Sequence, residues 1–107
     1  MAKSNFIFVK SGKEILRVKY EDISFIESLG NYVKLHTTSG IHVTYQSMND
    51  IIDKLPDGFS RVHNSYIINI EHLDKVVDQT IFIGDTKIPI SKSFRDCFKN
   101  RIDKHLL

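Results

Sequence analysis

The 107-residue sequence predicts a mainly β fold with two short helices (α+β by count), its roughly ten short strands arranged in antiparallel sheets. Three observations carry this. Apolar segments of a few residues recur along the chain, each the length of a strand. The five glycines, Gly12, Gly30, Gly40, Gly58 and Gly84, each fall at a break between segments, where a turn is wanted. Only two stretches show helical spacing of apolar residues, so strands and helices do not alternate and a parallel sheet is not expected.

In chain order, Phe6–Val9 and Ile15–Tyr20 are strands joined by a hairpin connection containing Gly12. Phe6 and Phe8 on one side, and Ile7 and Val9 on the other, predict burial on both faces. After polar Glu21-Asp22, Ile23–Ser28 is the third strand and Leu29-Gly30-Asn31 turns the chain. Tyr32–Thr37 alternates, with Val33 and Leu35 on one face and Tyr32, Lys34 and His36 on the other. Thr38-Ser39-Gly40 then leads into Ile41–Tyr45, with Ile41, Val43 and Tyr45 expected inward. Ser47-Met48-Asn49-Asp50 has capping-box form, and Met48, Ile51, Ile52 and Leu55 make one helical stripe that Pro56-Asp57-Gly58 ends.

The next segments, Tyr66–Asn69, Lys75–Gln79, Ile81–Ile83 and Lys87–Ile90, are strands, with a tight turn at Gly84-Asp85-Thr86. Pro89 belongs on an edge or at a strand end. Ser93-Phe94-Arg95-Asp96 repeats the capping pattern ahead of a second stripe of Phe94, Cys97, Phe98 and Ile102, which leaves Arg95, Lys99 and Arg101 polar. No linker or repeat divides the chain, so residues 1–107 are expected to form one domain with a core over about 6–104.

Composition narrows the function. A hydrophobic content of 41% and a charged content of 26% fit a globular protein. There is no apolar run of membrane length and no apolar leader after MAKSN, so a cytoplasmic protein without a membrane partner is expected. The single Cys97 excludes an internal disulfide and reads as a small core residue. Net charge is only +2, but residues 1–19 (Lys3, Lys10, Lys13, Arg17 and Lys19 against Glu14) and residues 87–107 each carry +4. If the fold clusters these ends, they make a basic face suited to phosphates.

No motif makes a case for catalysis, a metal or a cofactor. No two of the five histidines have helical metal-ligand spacing, and no CxxC accompanies them. His63-Asn64 matches part of a His-Asn-His nuclease motif whose second His is missing. What stands out is the run Phe59–Ile70, FSRVHNSYIINI, where Arg61, His63, Asn64 and Ser65 separate two strand-like segments without Gly or Pro. These groups suit phosphates and base edges. They suit equally a kinked loop whose Asn and Ser bond their own backbone. Two further polar patches are Gly30-Asn31-Tyr32 and Ser91-Lys92-Ser93, the latter ahead of a helix start. The rival readings are a protein-interaction or ligand-sensing module with Tyr32, Tyr45 and Tyr66 as an aromatic pocket, and a nuclease using His63 as general base.

The order of segments resembles the LytTR family of β-rich DNA-binding output domains of bacterial response regulators. YEDISFIESLGNYVKLHT is followed by a short helix, Pro56-Asp57-Gly58-Phe59, RVHNSYIIN and finally KIPISKSF. The resemblance covers about residues 6–104 and is most specific in the last two segments. It implies a LytTR-like β-β-β arrangement and a non-enzymatic, sequence-specific regulator of transcription, with loops that enter successive major grooves of double-stranded DNA at promoter repeats. Carried over by position, Asn31, Tyr32 and Lys34 belong to the first reading loop. Arg61, His63 and Asn64 form the central, phosphate-contacting loop, and Lys92, Ser93 and Arg95 the last. Where the family often has Arg, this chain has Ser93, which implies base contacts that either shift to Lys92 or weaken. Asn64 stands where Arg or Lys is common, which implies a weaker salt dependence. The resemblance also implies an N-terminal receiver domain that this chain lacks, and paired copies on DNA.

Overall fold

A computed structural model describes residues 5–107. The elements are β1 (Phe6–Ser11), β2 (Glu14–Lys19), β3 (Ile23–Leu29), β4 (Tyr32–Thr37), β5 (Gly40–Tyr45), α1 (Met48–Lys54), β6 (Phe59–His63), β7 (Tyr66–Asn69), β8 (Lys75–Val77), β9 (Thr80–Ile83), β10 (Thr86–Pro89) and α2 (Arg95–Asp103). Three sheets result: the β1–β2 hairpin, a five-stranded sheet in the order β5-β4-β3-β7-β6, and a three-stranded sheet in the order β10-β9-β8. All described pairings are antiparallel, as the mainly β reading requires.

The five-stranded sheet is apolar on both faces at its centre. Ile26 and Ile67 point to one side and Phe25 and Ile68 to the other, and an irregularity between Ile23 and Phe25 adjusts the alternation. Val9 and Val18 of the first hairpin, with Met48 and Ile51 of α1, cover the first face together with Val33, Leu35 and Phe59. Ile81, Ile83 and Ile88 of the three-stranded sheet, with Phe98 of α2, cover the second. The first hairpin and α2 therefore pack on opposite faces of the sheet, while Lys10 also lines a cleft with Tyr32 and Tyr45; Lys3 lies outside the described residues.

Several side chains sit elsewhere than the sequence suggests. In β5, Ile41, Val43 and Tyr45 point outward, and Tyr45 is 68% exposed. The turn after β4 has two residues, Thr38 and Ser39, because Gly40 pairs with Thr37. A three-residue turn would have placed Ile41 opposite Thr37, on the Val33–Leu35 face; shortening it by one residue transfers the whole strand to the other face. Thr44 fills the inward position opposite Val33, and its Oγ1 donates to the Lys10 carbonyl at 2.6 Å, linking β5 to the first hairpin. Phe8 is 63% exposed, because the hairpin buries only the side that carries Val9 and Val18.

Ser47 caps α1 as expected, its Oγ accepting from the Asp50 N–H at 3.1 Å. Ser93 does not cap α2. It lies inside a 3-10 turn, Lys92–Phe94, and α2 begins after it with no side-chain cap. Cys97 is exposed and not a core residue; its neighbour Phe98 fills the buried position on α2. The strand expected over Lys75–Gln79 stops at Val77, and Asp78 and Gln79 form the turn at φ 48° and 61°. Pro89 ends the edge strand β10, where its missing N–H removes no ladder bond.

Buried Asn69 holds the start of β3 against the end of β7. Its Nδ2 donates to the carbonyls of Ile23 (2.9 Å) and Tyr20 (3.3 Å), and its Oδ1 accepts from the Glu71 N–H at 3.1 Å. Truncation strands these groups away from water, at roughly 1–3 kcal/mol for each one left unpaired. Asn69→Ala is expected to lower the unfolding free energy by about 2–4 kcal/mol in urea titration with an unchanged m-value. A loss below about 0.5 kcal/mol would show that water replaces the bracket.

Candidate nucleic-acid interface

The polar loops meet at one end of the five-stranded sheet. The β3–β4 turn, Gly30-Asn31, and the β6–β7 turn, Asn64-Ser65, project from that same end, because the Ser28 N–H at the close of β3 donates to the Ser65 carbonyl at 2.9 Å. The third loop joins them along β6, where the Ser91 N–H donates to the Val62 carbonyl at 2.9 Å. Beside Asn31, the start of α1 completes the end; Gly30, Asn31, Tyr45, Gln46, Ser47 and Asp50 line a shallow cleft there. Asn31, Tyr32, Asn64, Lys92, Ser93 and Arg95 are all exposed.

Each loop is held differently. Gly30 takes φ 59° at the first position of its two-residue turn, which a side chain would resist, and so presents Asn31 at the tip. Tyr32 packs edge-on against Tyr45 across the strand pair at 5.4 Å. Lys34, half-buried, lies directly opposite Glu27 in the ladder. Tyr66 sits on the other flank of Glu27 and pairs in turn with His63, so it shares no pocket with Tyr32 and Tyr45.

The central hairpin has a two-residue turn without glycine, and both Asn64 and Ser65 keep negative φ. The polar break read from the sequence is therefore narrower, since Arg61 and His63 are strand residues. An irregularity in pairing between Arg61 and His63 bends β6, and side chains secure the tip. Arg61 donates through Nη2 to the Asn64 carbonyl (2.8 Å), through Nε to the His63 carbonyl (3.3 Å) and through Nη1 to Asn49 Oδ1 (2.6 Å). Its guanidinium carbon lies 5.7 Å from the centroid of the Phe94 ring. His63 Nδ1 accepts from the Ser65 N–H at 3.1 Å, which fixes the neutral tautomer with the proton on Nε2, facing away from the turn.

Glu27 organises the sheet behind this hairpin. One carboxylate oxygen lies 3.1 Å from His36 Nε2 and the other accepts from the Tyr66 hydroxyl at 3.3 Å. Burial, then the neighbouring Glu27 charge and this bond, raise the Tyr66 phenol above its ordinary value. His36 stacks on Phe25 at 4.0 Å and Tyr66 packs against His63 at 5.6 Å. His72 is engaged elsewhere, bonding Ser24 and the Glu21 carbonyl. No group of three metal-ligating side chains gathers among the described residues.

Two contributors were not apparent from the sequence. Asn49 sits on the exposed side of α1, with nothing local to mark it as the partner of Arg61. Glu27 did carry a signal, as a lone carboxylate inside the apolar run ISFIESL.

Comparison with known proteins bears on the family and the fold. The LytTr DNA-binding domain family matches residues 13–103. The transcriptional regulatory protein NatR of Bacillus subtilis is 38% identical over 68 residues, which is 63% of this chain and 29% of that protein. The transcriptional regulatory protein LytR of Staphylococcus aureus is 29% identical over 101 residues, 88% of this chain and 41% of that protein. The chain thus spans well under half the length of these curated relatives. The solved LytTr DNA-binding domain of a putative methyl-accepting/DNA response regulator from Bacillus cereus shares the fold, with a TM-score of 0.80 over 94% of this chain and 98% of that one at 18% identity.

The Tyr66 shift sets an alkaline limit. A phenol whose folded value lies above the unfolded 10.0 stabilises the fold fully below pH 10, and that contribution disappears as pH rises through the folded value. Unfolding free energy in urea is expected to fall above pH 10 and to fall less steeply in Tyr66→Phe. Parallel curves for the two proteins would dismiss the Glu27–Tyr66 bond as a stabilising contact.

Proposed function

The chain belongs to the LytTr DNA-binding domain family, and from that premise we propose that it is the sequence-specific, non-catalytic DNA-binding domain of a bacterial transcriptional regulator. It reads half-sites in the major groove of double-stranded DNA through loops at one end of a β scaffold. The observation that carries this reading is the meeting of three polar loops at the same end of the five-stranded sheet, held there by the Ser28–Ser65 and Ser91–Val62 backbone bonds.

The residue types divide the work. Asn31 carries an amide able to pair with an adenine edge, Lys92 can reach guanine, and Asn64 offers its amide to the backbone phosphates beside His63. Tyr32 and Lys34 flank the first loop. His63 offers its Nε2–H as a neutral donor to phosphate, and Ser93 and Arg95 donate beside Lys92 at the start of α2. Arg61 belongs to this group by position but faces inward.

The wider setting follows from the relatives, which are regulators more than twice the length of this chain. In this reading the domain acts in the cytoplasm, joined to a receiver in a two-component system, and two copies occupy promoter repeats. No described helix is long and apolar enough to cross a membrane. The outward side chains of Leu29, Tyr32, Ile41, Val43 and Tyr45 favour a second role for the β4–β5 face in contacting protein, compatible with DNA binding at the sheet end.

Selection of bound duplexes from a random pool tests the reading, with titrations of the recovered site at several salt concentrations. Enrichment of a repeated motif is expected. Asn31→Ala and Lys92→Ala are each expected to weaken binding to that site by roughly 1–3 kcal/mol while leaving random DNA nearly unaffected. Equal losses on both duplexes would reassign a residue to phosphate, and a pool without enrichment would overturn sequence-specific recognition.

A further inference from the structure

We propose that Arg61 is a positioning residue that locks the central hairpin and the third loop to the start of α1, and that Asn49 of α1 is its partner. The proposal rests on the DNA-binding reading above but assigns Arg61 a different task from phosphate contact. A guanidinium has five N–H donors in a rigid plane. Three of them bond inside the protein, to the Asn64 carbonyl, the His63 carbonyl and Asn49 Oδ1. The plane of the group also approaches the Phe94 ring, in the turn that carries Lys92 and Ser93. One side chain therefore touches the central hairpin tip, the start of α1 beside the Asn31 cleft, and the third loop.

The sequence of the hairpin makes this task necessary. A two-residue connection ordinarily relies on Asn-Gly or a similar pair at positive φ to bring its strands together. Asn64-Ser65 has negative φ at both residues, so its carbonyls must be held by something other than the turn. Arg61 binds the Asn64 and His63 carbonyls together through one edge of its plane, Nε and Nη2. Lysine at this position retains the charge but offers a single ammonium centre, which cannot hold the fork. Asn49 fixes the far end of that fork, and no other side-chain bond to Asn49 is present among the described residues.

The test compares wild type, Arg61→Lys, Asn49→Ala and the double variant. Each is bound to the selected site and to a random duplex over a series of salt concentrations, with thermal melts to confirm folding. Arg61→Lys is expected to lose tenfold or more in affinity for the site. Its binding to random DNA and its slope of log K against log salt should stay at wild-type values. Asn49→Ala should show a smaller loss of the same kind, and the double variant should lose less than the two singles combined. In a further variant, Arg61→Gln, which removes the charge, a salt slope reduced by about 0.9 with equal loss on both duplexes would make Arg61 a phosphate contact and overturn the proposal. Backbone 15N relaxation of the free proteins gives a readout that needs no DNA. Residues 63–65 and 92–94 should become more mobile in Arg61→Lys, and residues 63–65 in Asn49→Ala. Unchanged mobility in both variants would refute the clamp even if wild type proved site-specific. Increased mobility in the variants, with a wild type lacking any site preference, would leave the clamp standing and remove the DNA reading instead.

Discussion

Burial of the β3–β7 pair on both faces is the constraint from which the remaining architecture follows. Ile26, Ile67 and Ile68 are fully buried and Phe25 nearly so, with neighbours in the two strands facing opposite ways. Water must be excluded from both sides of such a sheet, so a chain of this length needs two covers. The first hairpin and α1 form one; the three-stranded sheet and α2 form the other. With both faces occupied at the centre, polar loops can emerge only from the ends of the strands. The candidate interface lies where it does because the core leaves that place open.

The loops at that end do not share a mechanism of rigidity. The first is fixed by backbone conformation, with Gly30 at positive φ, and would hold its shape with most side chains removed. The third is fixed by its neighbours, since the Ser91 N–H bonds β6 and a 3-10 turn follows at once. The central hairpin depends on side chains, with Arg61 on its carbonyls and His63 on the Ser65 N–H. A change in solvent or sequence that spared the first two loops would therefore reach the third kind of support first. Behind it, Glu27 ties the sheet through His36 and Tyr66, so the hairpin is braced from its root as well as from its tip.

Much of this fold was legible because local patterns and tertiary demands agree. Val33 and Leu35 alternate with polar residues and are buried; Ser47 heads an apolar stripe and caps it. The failures occur where a tertiary contact outweighs the local pattern. Tyr45 points outward because a single residue of turn length sets the parity of β5, and Thr44 offsets its inward placement by bonding Lys10. Ser93 is a good capping residue placed one turn too early, in a segment tied to β6. For the site, the residue types were legible and their assembly was not. Nothing near Ser28 announces Ser65, and nothing near Asn49 announces Arg61, because those contacts exist only once the sheet has closed. The family resemblance supplied that adjacency in advance, where periodicity had no access to it.

The charge at the sheet end also constrains how DNA is held. Lys34, Lys92 and Arg95 offer cations there, Arg61 faces inward, and Glu27 and Asp50 lie close by. Lys10 of the first hairpin lies beside Tyr32 and Tyr45 and so flanks the same end. If about three cations reach phosphates, the salt slope of one copy is about −3, far below that of a strongly basic binder. On the proposed reading, electrostatics would then supply little of the affinity, and base choice would fall to Asn31 and Lys92 in the outer loops. One copy would be selective but readily lost from DNA. Two copies on linked repeats would regain affinity, because the second contact forms at a high effective concentration once the copies are joined. Repeated half-sites would then be the physical complement of such a reading edge.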